Sequence, residues 1–168
     1  MREAVTALRI APAAPAQVAP MLTLCRGAAA RPDCPWDEWY PDEATLAADQ
    51  AQGRLFCAWG PAGELMGGYS LAFDPETDAL PCWDRTLEPA GEVARLVVAP
   101  AWENQGLGRR LLADAMARLA AQGCRSCRIL VGRGNVRALR AYAGLGFRRA
   151  GEARLYEMDF DCFEKELF

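Results

Sequence analysis

The chain of 168 residues contains no histidine and a single lysine, Lys165. Without histidine, the sequence excludes the Ser–His and Cys–His pairs that many nucleophilic enzymes use. General acid and base chemistry is then left to glutamate, aspartate, tyrosine or cysteine. No run of about 18 apolar residues occurs, so no membrane span is predicted. Residues 1–6 lack the apolar core of a signal peptide, and we therefore expect a cytoplasmic protein.

The cysteines also lack the arrangement of a metal site. Seven are scattered along the chain, and only Cys124 and Cys127 form a C-x-x-C pair. A zinc site needs further ligands at regular spacing, and the sequence has no second pair. An odd number of cysteines without a secretion signal is typical of reduced thiols. We expect no bound metal and a packing role for this pair.

Charge is distributed unevenly. Residues 1–90 hold 6 arginines and 13 acidic residues, whereas residues 92–149 hold 11 arginines and 3 acidic residues. The basic half is either a solvated surface or the binding region for a polyanion, and arginine suits phosphate because of its planar, bidentate donors. Nucleic acid is not expected, because these arginines are spread over several elements and the net charge is −3.

Hydrophobic periodicity predicts an α/β fold with a sheet of mixed direction. The predicted order is strand, two helices, three strands, helix, strand, helix and two strands. The predicted strands are 5–11, 55–59, 65–73, 92–99, 125–131, 147–152 and 156–164, and the predicted helices are 15–29, 42–52, 106–122 and 135–145. In the third helix, Asp114 and Arg118 are expected on the exposed face.

The most informative stretch runs from the apolar strand Val93–Ala99 into a helix through Gly106 and Gly108. Glycines let the backbone approach a ligand closely, and the first turn of a helix presents free N–H groups to it. Arg109 and Arg110 add positive charge at the same place. The stretch therefore predicts a site for a phosphate or pyrophosphate group.

Three kinds of phosphate turn compete for this stretch. A dinucleotide turn requires a third glycine where this chain has Leu111, and an NTPase loop requires a lysine and a hydroxyl residue after Gly108. The third is the pyrophosphate turn of the GNAT acetyltransferase superfamily. The stretch resembles its Arg/Gln-x-x-Gly-x-Gly/Ala motif and the preceding Leu-x-Val-x-Pro strand, here Leu96, Val98 and Pro100.

A second motif carries the same resemblance. Residues 135–147 are similar to the family's Asn-x-x-Ala-x-x-x-Tyr-x-x-x-Gly-Phe, and the loop 36–41 resembles one found in a subgroup. The resemblance covers nearly the whole chain and implies one GNAT-like domain over residues 1–168. It implies a mixed, mostly antiparallel sheet of about six to seven strands flanked by about four helices. Acetyl-CoA would lie in a V-shaped gap between the central strand and the next.

The resemblance further implies an N-acetyltransferase in which a primary amine attacks acetyl-CoA directly. Pantetheine would bind the backbone of Val97 and Val98, and the pyrophosphate would bind the N–H groups from Gln105 to Arg109. The implied cofactor-binding residues of the turn and the second motif are Gln105, Gly106, Leu107, Gly108, Arg109, Arg110 and Asn135. Asn135 is also a favourable helix N-cap, and the two roles are compatible.

Two residues are candidates for acid and base. Tyr142 would protonate the departing thiolate, or it is a core aromatic on the stripe of its helix. Glu92, or a water molecule, would take a proton from the amine, whose pKa is roughly 8–10 when free. Glu92 could instead be an exposed residue at the start of a strand. Arg95 is assigned no role, since a bulge in this strand would change the side that it faces.

One position departs from the motif. Glu103 stands where the family usually has arginine or glutamine. A carboxylate close to a pyrophosphate is unfavourable by Coulomb's law. It would either weaken binding of acetyl-CoA or point away and interact with the helix dipole.

The first half of such a chain usually builds the acceptor side of the cleft, and here that half is acidic. We hypothesise a small cationic amine acceptor, attracted by carboxylates and aromatic faces, rather than an anionic one. The alternative is that the acids only keep the loops soluble. The residues concerned are Asp33, Asp37, Glu38, Asp74, Glu76, Asp78 and Asp84 with Trp36, Trp39 and Trp83.

The acceptor would be a small molecule or a peptide, and the protein would be a monomer or a homodimer. A non-catalytic acyl-CoA-binding module is the alternative function.

Overall fold

The structure is a computed structural model that describes residues 8–32, 34–142 and 144–168. Seven strands are formed: β1 (Arg9–Pro12), β2 (Leu55–Trp59), β3 (Leu65–Ala72), β4 (Ala90–Val98), β5 (Ser126–Gly132), β6 (Arg148–Leu155) and β7 (Met158–Glu166). The five α-helices of the described residues are α1 (Val18–Ala29), α2 (Glu43–Ala51), α3 (Pro75–Asp78), α4 (Leu107–Ala121) and α5 (Val136–Tyr142).

All seven strands join one sheet in the order β1-β2-β3-β4-β5-β7-β6. Every neighbouring pair is antiparallel except β4 and β5, which are parallel because α4 crosses between them. The predicted α/β class with a mixed, mostly antiparallel sheet is therefore confirmed.

The single parallel pair is incomplete. Only Ala90–Glu92 pair with Ser126–Arg128. From Val93 onwards β4 pairs on its other side with β3, and its edge towards β5 lacks a strand partner among the described residues. The two strands thus open a gap in the middle of the sheet, as the resemblance implied.

A β-bulge lies in β4 beside this gap. Gly68 of β3 faces Val97 and Ser70 faces Ala94, so two residues of β4 stand opposite one residue of β3. Arg95 in the bulge has a φ of 51°, in the left-handed region. A bulge shifts side chains relative to the regular pleat, and this one turns Arg95 to the same side of the sheet as Ser70.

Helices cover both faces of the sheet. On one face α1 and α2 bury Met21, Cys25 and Leu46 against β2, and on the other face α4 buries its apolar stripe against β2–β5. The stripe consists of Leu107, Leu111, Ala115 and Leu119, all of which are buried. Gly68 allows α1 to pack closely, since a Cβ there would lie 2.8 Å from the Met21 Cε atom. No helix in the described ranges is long and apolar enough to cross a membrane.

Three local expectations need correction. The segment between the predicted strands 65–73 and 92–99, where no helix was predicted, contains α3, and Asp74 caps this helix by accepting a hydrogen bond from the Glu76 N–H at 3.0 Å. Tyr156, predicted to begin the last strand, lies instead in the β6–β7 turn with a φ of 53°. The expected strand over 5–11 is seen from Arg9, and residues 5–7 lie outside the described part of the chain.

The expected exposed face of α4 is also partly covered. Asp114 accepts hydrogen bonds from the Tyr69 hydroxyl at 2.6 Å and from Arg118 Nε at 2.8 Å. The Arg118 guanidinium lies 4.3 Å from the centre of the Phe56 ring. The pair therefore anchors α4 to the sheet, a role that spacing along the helix does not reveal.

Candidate active site

The gap between β4 and β5 opens into a cavity of about 1260 Å3. Its walls include Glu92–Val98 of β4, Ile129–Gly132 of β5, the turn before α4, most of α5, and part of the segment between α1 and α2. A cleft of this size between two diverging strands is large enough for an extended ligand.

The glycine turn enters this cavity at the start of α4. Gly106 has a φ of 84° and Asn104 a φ of 59°, so the backbone reverses direction immediately before the helix. The first intrahelical hydrogen bond runs from the Arg110 N–H to the Gly106 carbonyl at 3.1 Å. The N–H groups of Leu107 and Gly108 precede this bond, which leaves them available to an anion.

The predicted turn residues do not all face the cavity. Gly106, Leu107, Gly108 and Arg109 line it. Gln105 donates a side-chain hydrogen bond to the Ala101 carbonyl at 3.1 Å and lies outside the lining, as does the exposed Arg110.

Asn135 lies at the start of α5 and lines the cavity. Its side-chain oxygen accepts a hydrogen bond from the Ala138 N–H at 3.1 Å, which is the capping geometry expected from the sequence. The cap uses only the oxygen, so the side-chain N–H donors are compatible with the predicted contact to pantetheine.

Tyr142, at the end of α5, also lines the cavity. Its ring packs against Phe147 with 6.2 Å between the ring centres, and it contacts the main core. Burial, and to a smaller extent the nearby Cys127, raises the pKa of Tyr142 to about 12. The phenol therefore keeps its proton at neutral pH and can donate it within the cavity.

Glu92, on β4, is partly buried and lines the same cavity. Burial raises its pKa from the ordinary 4.5 to about 7, and the neighbouring carboxylates of Asp74 and Asp78 act in the same direction. Arg95 and Arg128 oppose this shift. A carboxyl group with a pKa near neutrality can both accept and release a proton, as a general base requires.

Sequence reasoning left Arg95 without a role, and the structure places it in a network beside Glu92. Its Nε and Nη2 donate to Asp49 of α2 at 2.8 and 2.9 Å, and its Nη1 donates to the Tyr40 hydroxyl at 3.0 Å. The Ser70 hydroxyl donates to Asp49 at 2.7 Å. The network ties the bulge of β4 to α2 and to the loop at Tyr40, so it holds two walls of the cavity together.

Glu103 does not point away from the cavity. It lines the cavity and forms ion pairs with Arg31 and with Arg137, whose Nη1 lies 2.7 Å from its Oε2. Its side chain is only 17% exposed. The charge that seemed unfavourable is therefore balanced by two arginines.

The acidic loops contribute less to the cavity than expected. Asp37 and Asp74 line it, whereas Asp78 pairs with Arg128 at 3.0 Å and Asp84 caps a short 3-10 turn. Asp33 lies outside the described residues. Among the tryptophans, Trp36 lines the cavity and Trp39 is exposed.

Trp83, which was expected to present its ring to a cationic acceptor, does not do so. Trp83 is buried, donates to the Thr77 carbonyl at 2.8 Å, and stacks on Arg128 at 4.9 Å. Its cation–π contact is thus internal, and the ring cannot receive an acceptor.

The C-x-x-C pair lies outside the cavity lining, although Cys34 belongs to it. Cys124 and Cys127 are free and buried, as a packing role requires. Within the described ranges, no group of three or more cysteine, aspartate or glutamate side chains is arranged to hold a metal ion.

The sequence profile of the acetyltransferase (GNAT) family matches residues 18–147, which is most of the chain. The chain belongs to this family. The match includes both motifs, the glycine turn and α5, and it confirms the resemblance on which the acetyltransferase assignment was based.

Similar proteins agree with this assignment. A protein of Kineococcus radiotolerans named mycothiol acetyltransferase is 35% identical over 111 residues, which cover 66% of this chain and 35% of that protein. The chain thus spans about a third of the length of the curated relatives it matches.

Two solved structures show the same fold. A GNAT-family acetyltransferase from Streptococcus agalactiae has a TM-score of 0.78 at 15% identity, covering 95% of both chains. A Salmonella typhimurium protein described with its cofactor acetyl-CoA has a TM-score of 0.72 at 19% identity, covering 96% of this chain and 94% of its own.

Proposed function

We propose that this domain transfers an acetyl group from acetyl-CoA to a primary amine. The observation that carries the proposal is one cavity that contains the glycine turn, the open edge of β4, Asn135, Tyr142 and Glu92. A phosphate turn, together with the titratable groups Glu92 on β4 and Tyr142 on α5, suits a long ligand with anionic and reactive ends. The backbone of Val97 and Val98 would hold the pantetheine arm.

The proposed reaction is a direct transfer. The amine nitrogen attacks the acetyl carbon and a C–N bond forms, while the C–S bond to coenzyme A breaks. Glu92, directly or through water, takes the proton released by the amine. Tyr142 donates a proton to the departing thiolate and regains one from solvent.

Acetyl-CoA should stabilise the folded protein, because a ligand that binds only the native state shifts the unfolding equilibrium. At a hundred times its dissociation constant the gain is about 2.7 kcal/mol, which corresponds to a rise in Tm of roughly 5–10 °C for a chain of this size. A thermal melt with and without acetyl-CoA measures this rise.

The control ligands come from the competing interpretations of the glycine turn. NAD⁺ and ATP should leave Tm unchanged, since the turn lacks the residues that their motifs require. A melt that shifts with NAD⁺ or ATP but not with acetyl-CoA would contradict the proposal. Release of free thiol from acetyl-CoA in the presence of an amine panel then tests catalysis itself.

For the acceptor, we propose a small cationic amine. The support is Asp37, Asp74 and Glu92 on the cavity wall, together with the Trp36 face. Asp49 is balanced by Arg95, but Arg54 also lines the cavity and stacks on Phe73 at 4.8 Å. The charge of the cavity wall is therefore less acidic than the sequence suggested.

A cationic acceptor steered by exposed carboxylates should show a kcat/KM that falls as salt is added, because the Debye length shrinks from about 10 Å at 0.1 M to about 3 Å at 1 M. Glu38→Lys and Glu76→Lys should raise KM for the amine and leave KM for acetyl-CoA unchanged. Both side chains are exposed and outside the hydrogen bonds that shape their loops. A preferred acceptor that is neutral or acidic, with no salt dependence, would contradict this proposal only.

A further inference from the structure

The ion pairs of Glu103 join three segments of the chain that line the cavity. Arg31 follows α1, and its N–H donates to the Ala28 carbonyl at 3.1 Å. Arg137 is the second residue of α5. Glu103 precedes the glycine turn and binds one arginine with each carboxylate oxygen. We call these three side chains the arginine bridge. Together they carry a net charge of +1.

The arginine bridge lies beside the phosphate turn. All three of its residues line the cavity together with Gly106–Arg109. The start of α4 packs on α5, since a Cβ at Gly108 would lie 3.9 Å from the Ala141 Cβ. Arg137 stands one helical turn before Ala141 and so lies on the same face of α5.

The burial of Glu103 indicates what it does. Its side chain is 17% exposed, and both oxygens are occupied by guanidinium groups, so little of its charge is presented to a ligand. The two arginines are 28% and 51% exposed and keep further N–H donors for a ligand in the cavity. A guanidinium held on one side by a carboxylate loses less side-chain entropy when it binds an anion on the other side.

We propose that Arg31 and Arg137 bind the phosphate groups of acetyl-CoA, and that Glu103 is a positioning residue that holds both arginines in place. The proposal rests on the proposed function and explains how the chain binds the cosubstrate although the motif arginine or glutamine is absent. Two cations, one from the segment that follows α1 and one from α5, replace the single side chain at the motif position.

The test compares acetyl donors with and without phosphate groups. Arg31→Ala and Arg137→Ala should each weaken binding of acetyl-CoA about 10-fold or more, as expected for a hydrogen bond to a charged group. Neither should change the KM for S-acetylpantetheine, which has no phosphate. An equal loss with both donors, or no loss with either, overturns the proposal.

A third donor identifies the phosphate. If the loss persists with acetyl-dephospho-CoA, the arginines bind the pyrophosphate; if it is confined to acetyl-CoA, they bind the 3′-phosphate. Arg154→Ala is the matched control, since it removes another ion-paired arginine outside the cavity lining and should affect no donor.

Glu103→Gln separates positioning from repulsion. If Glu103 positions the arginines, the variant should bind acetyl-CoA less tightly and S-acetylpantetheine unchanged. If Glu103 only repels phosphate, the variant should bind acetyl-CoA more tightly, which would overturn its assigned role. Failure of the parent protein to bind acetyl-CoA would refute the proposed function, whereas parent binding with unaffected arginine variants would refute only the arginine bridge.

Discussion

Tyr142→Phe should lower kcat by about 100- to 10,000-fold, the usual contribution of a general acid. The dissociation constant of acetyl-CoA should change little, because phenylalanine keeps the ring that packs against Phe147 and removes only the hydroxyl. The raised pKa, about 12, means that the phenol is fully protonated over the working pH range. Steady-state thiol release and calorimetric binding of acetyl-CoA measure the two quantities separately.

Tyr69→Phe provides the matched control. The Tyr69 hydroxyl donates to Asp114 at 2.6 Å in the core and lies outside the cavity lining. Its loss leaves a partly buried carboxylate with one fewer donor, which should cost about 1–3 kcal/mol of folding free energy. Tyr69→Phe should therefore lower Tm and leave kcat unchanged. Tyr142→Phe should leave Tm nearly unchanged and lower kcat. If Tyr142→Phe turned over at the parent rate, Tyr142 would be a packing residue.

The elements that position the site could be predicted because their signals are local. The stripe Leu107–Leu119 predicts α4, and the turn at 60–63 between two apolar runs predicts the hairpin of β2 and β3. The short α3 was missed, because a segment with proline and acids has the composition of a loop. Its acids in fact cap and begin a helix, in which Thr77 is buried.

The contacts that complete the site could not be predicted from local patterns. Arg31 and Glu103 are 72 residues apart, and Arg95 and Asp49 are 46 apart. Spacing describes neighbours within one element, whereas these pairs form only after the sheet brings α1, α2 and β4 together. One signal was available: Asp49 follows Leu46 by three residues, which places a carboxylate on the buried side of α2.

Glu92→Gln should reduce kcat/KM by about 100- to 10,000-fold near pH 8, where the parent carboxylate is ionised and acts as base. The pKa of about 7 also predicts the pH profile. Below pH 7 the parent needs two deprotonations, of Glu92 and of the amine, so log kcat/KM should rise with a slope of about two. Above pH 7 only the amine remains, and the slope should fall to about one until the amine pKa, roughly 8–10, is reached. For Glu92→Gln, log kcat/KM should rise with a slope of about one over the whole range below the amine pKa.

Measurements of folding stability distinguish a catalytic carboxylate that destabilises the fold when ionised from a carboxylate that stabilises the structure. Because folding raises the pKa of Glu92 from 4.5 to about 7, the folded state binds more protons than the unfolded state between these values. The free energy of unfolding therefore falls as pH rises through this window, and the ionised carboxylate destabilises the fold above it. Glu92→Gln should then raise Tm at pH 8.

Glu164→Gln is the opposite case. Glu164 is buried, pairs with Arg148 and accepts from the Asp84 N–H at 3.1 Å. Its replacement should lower Tm and leave the pH profile unchanged, since it lies outside the cavity lining. If Glu92→Gln instead lowered Tm at pH 8 and kept the two-step profile, Glu92 would be a structural residue, and water, relayed to another group, would be the base.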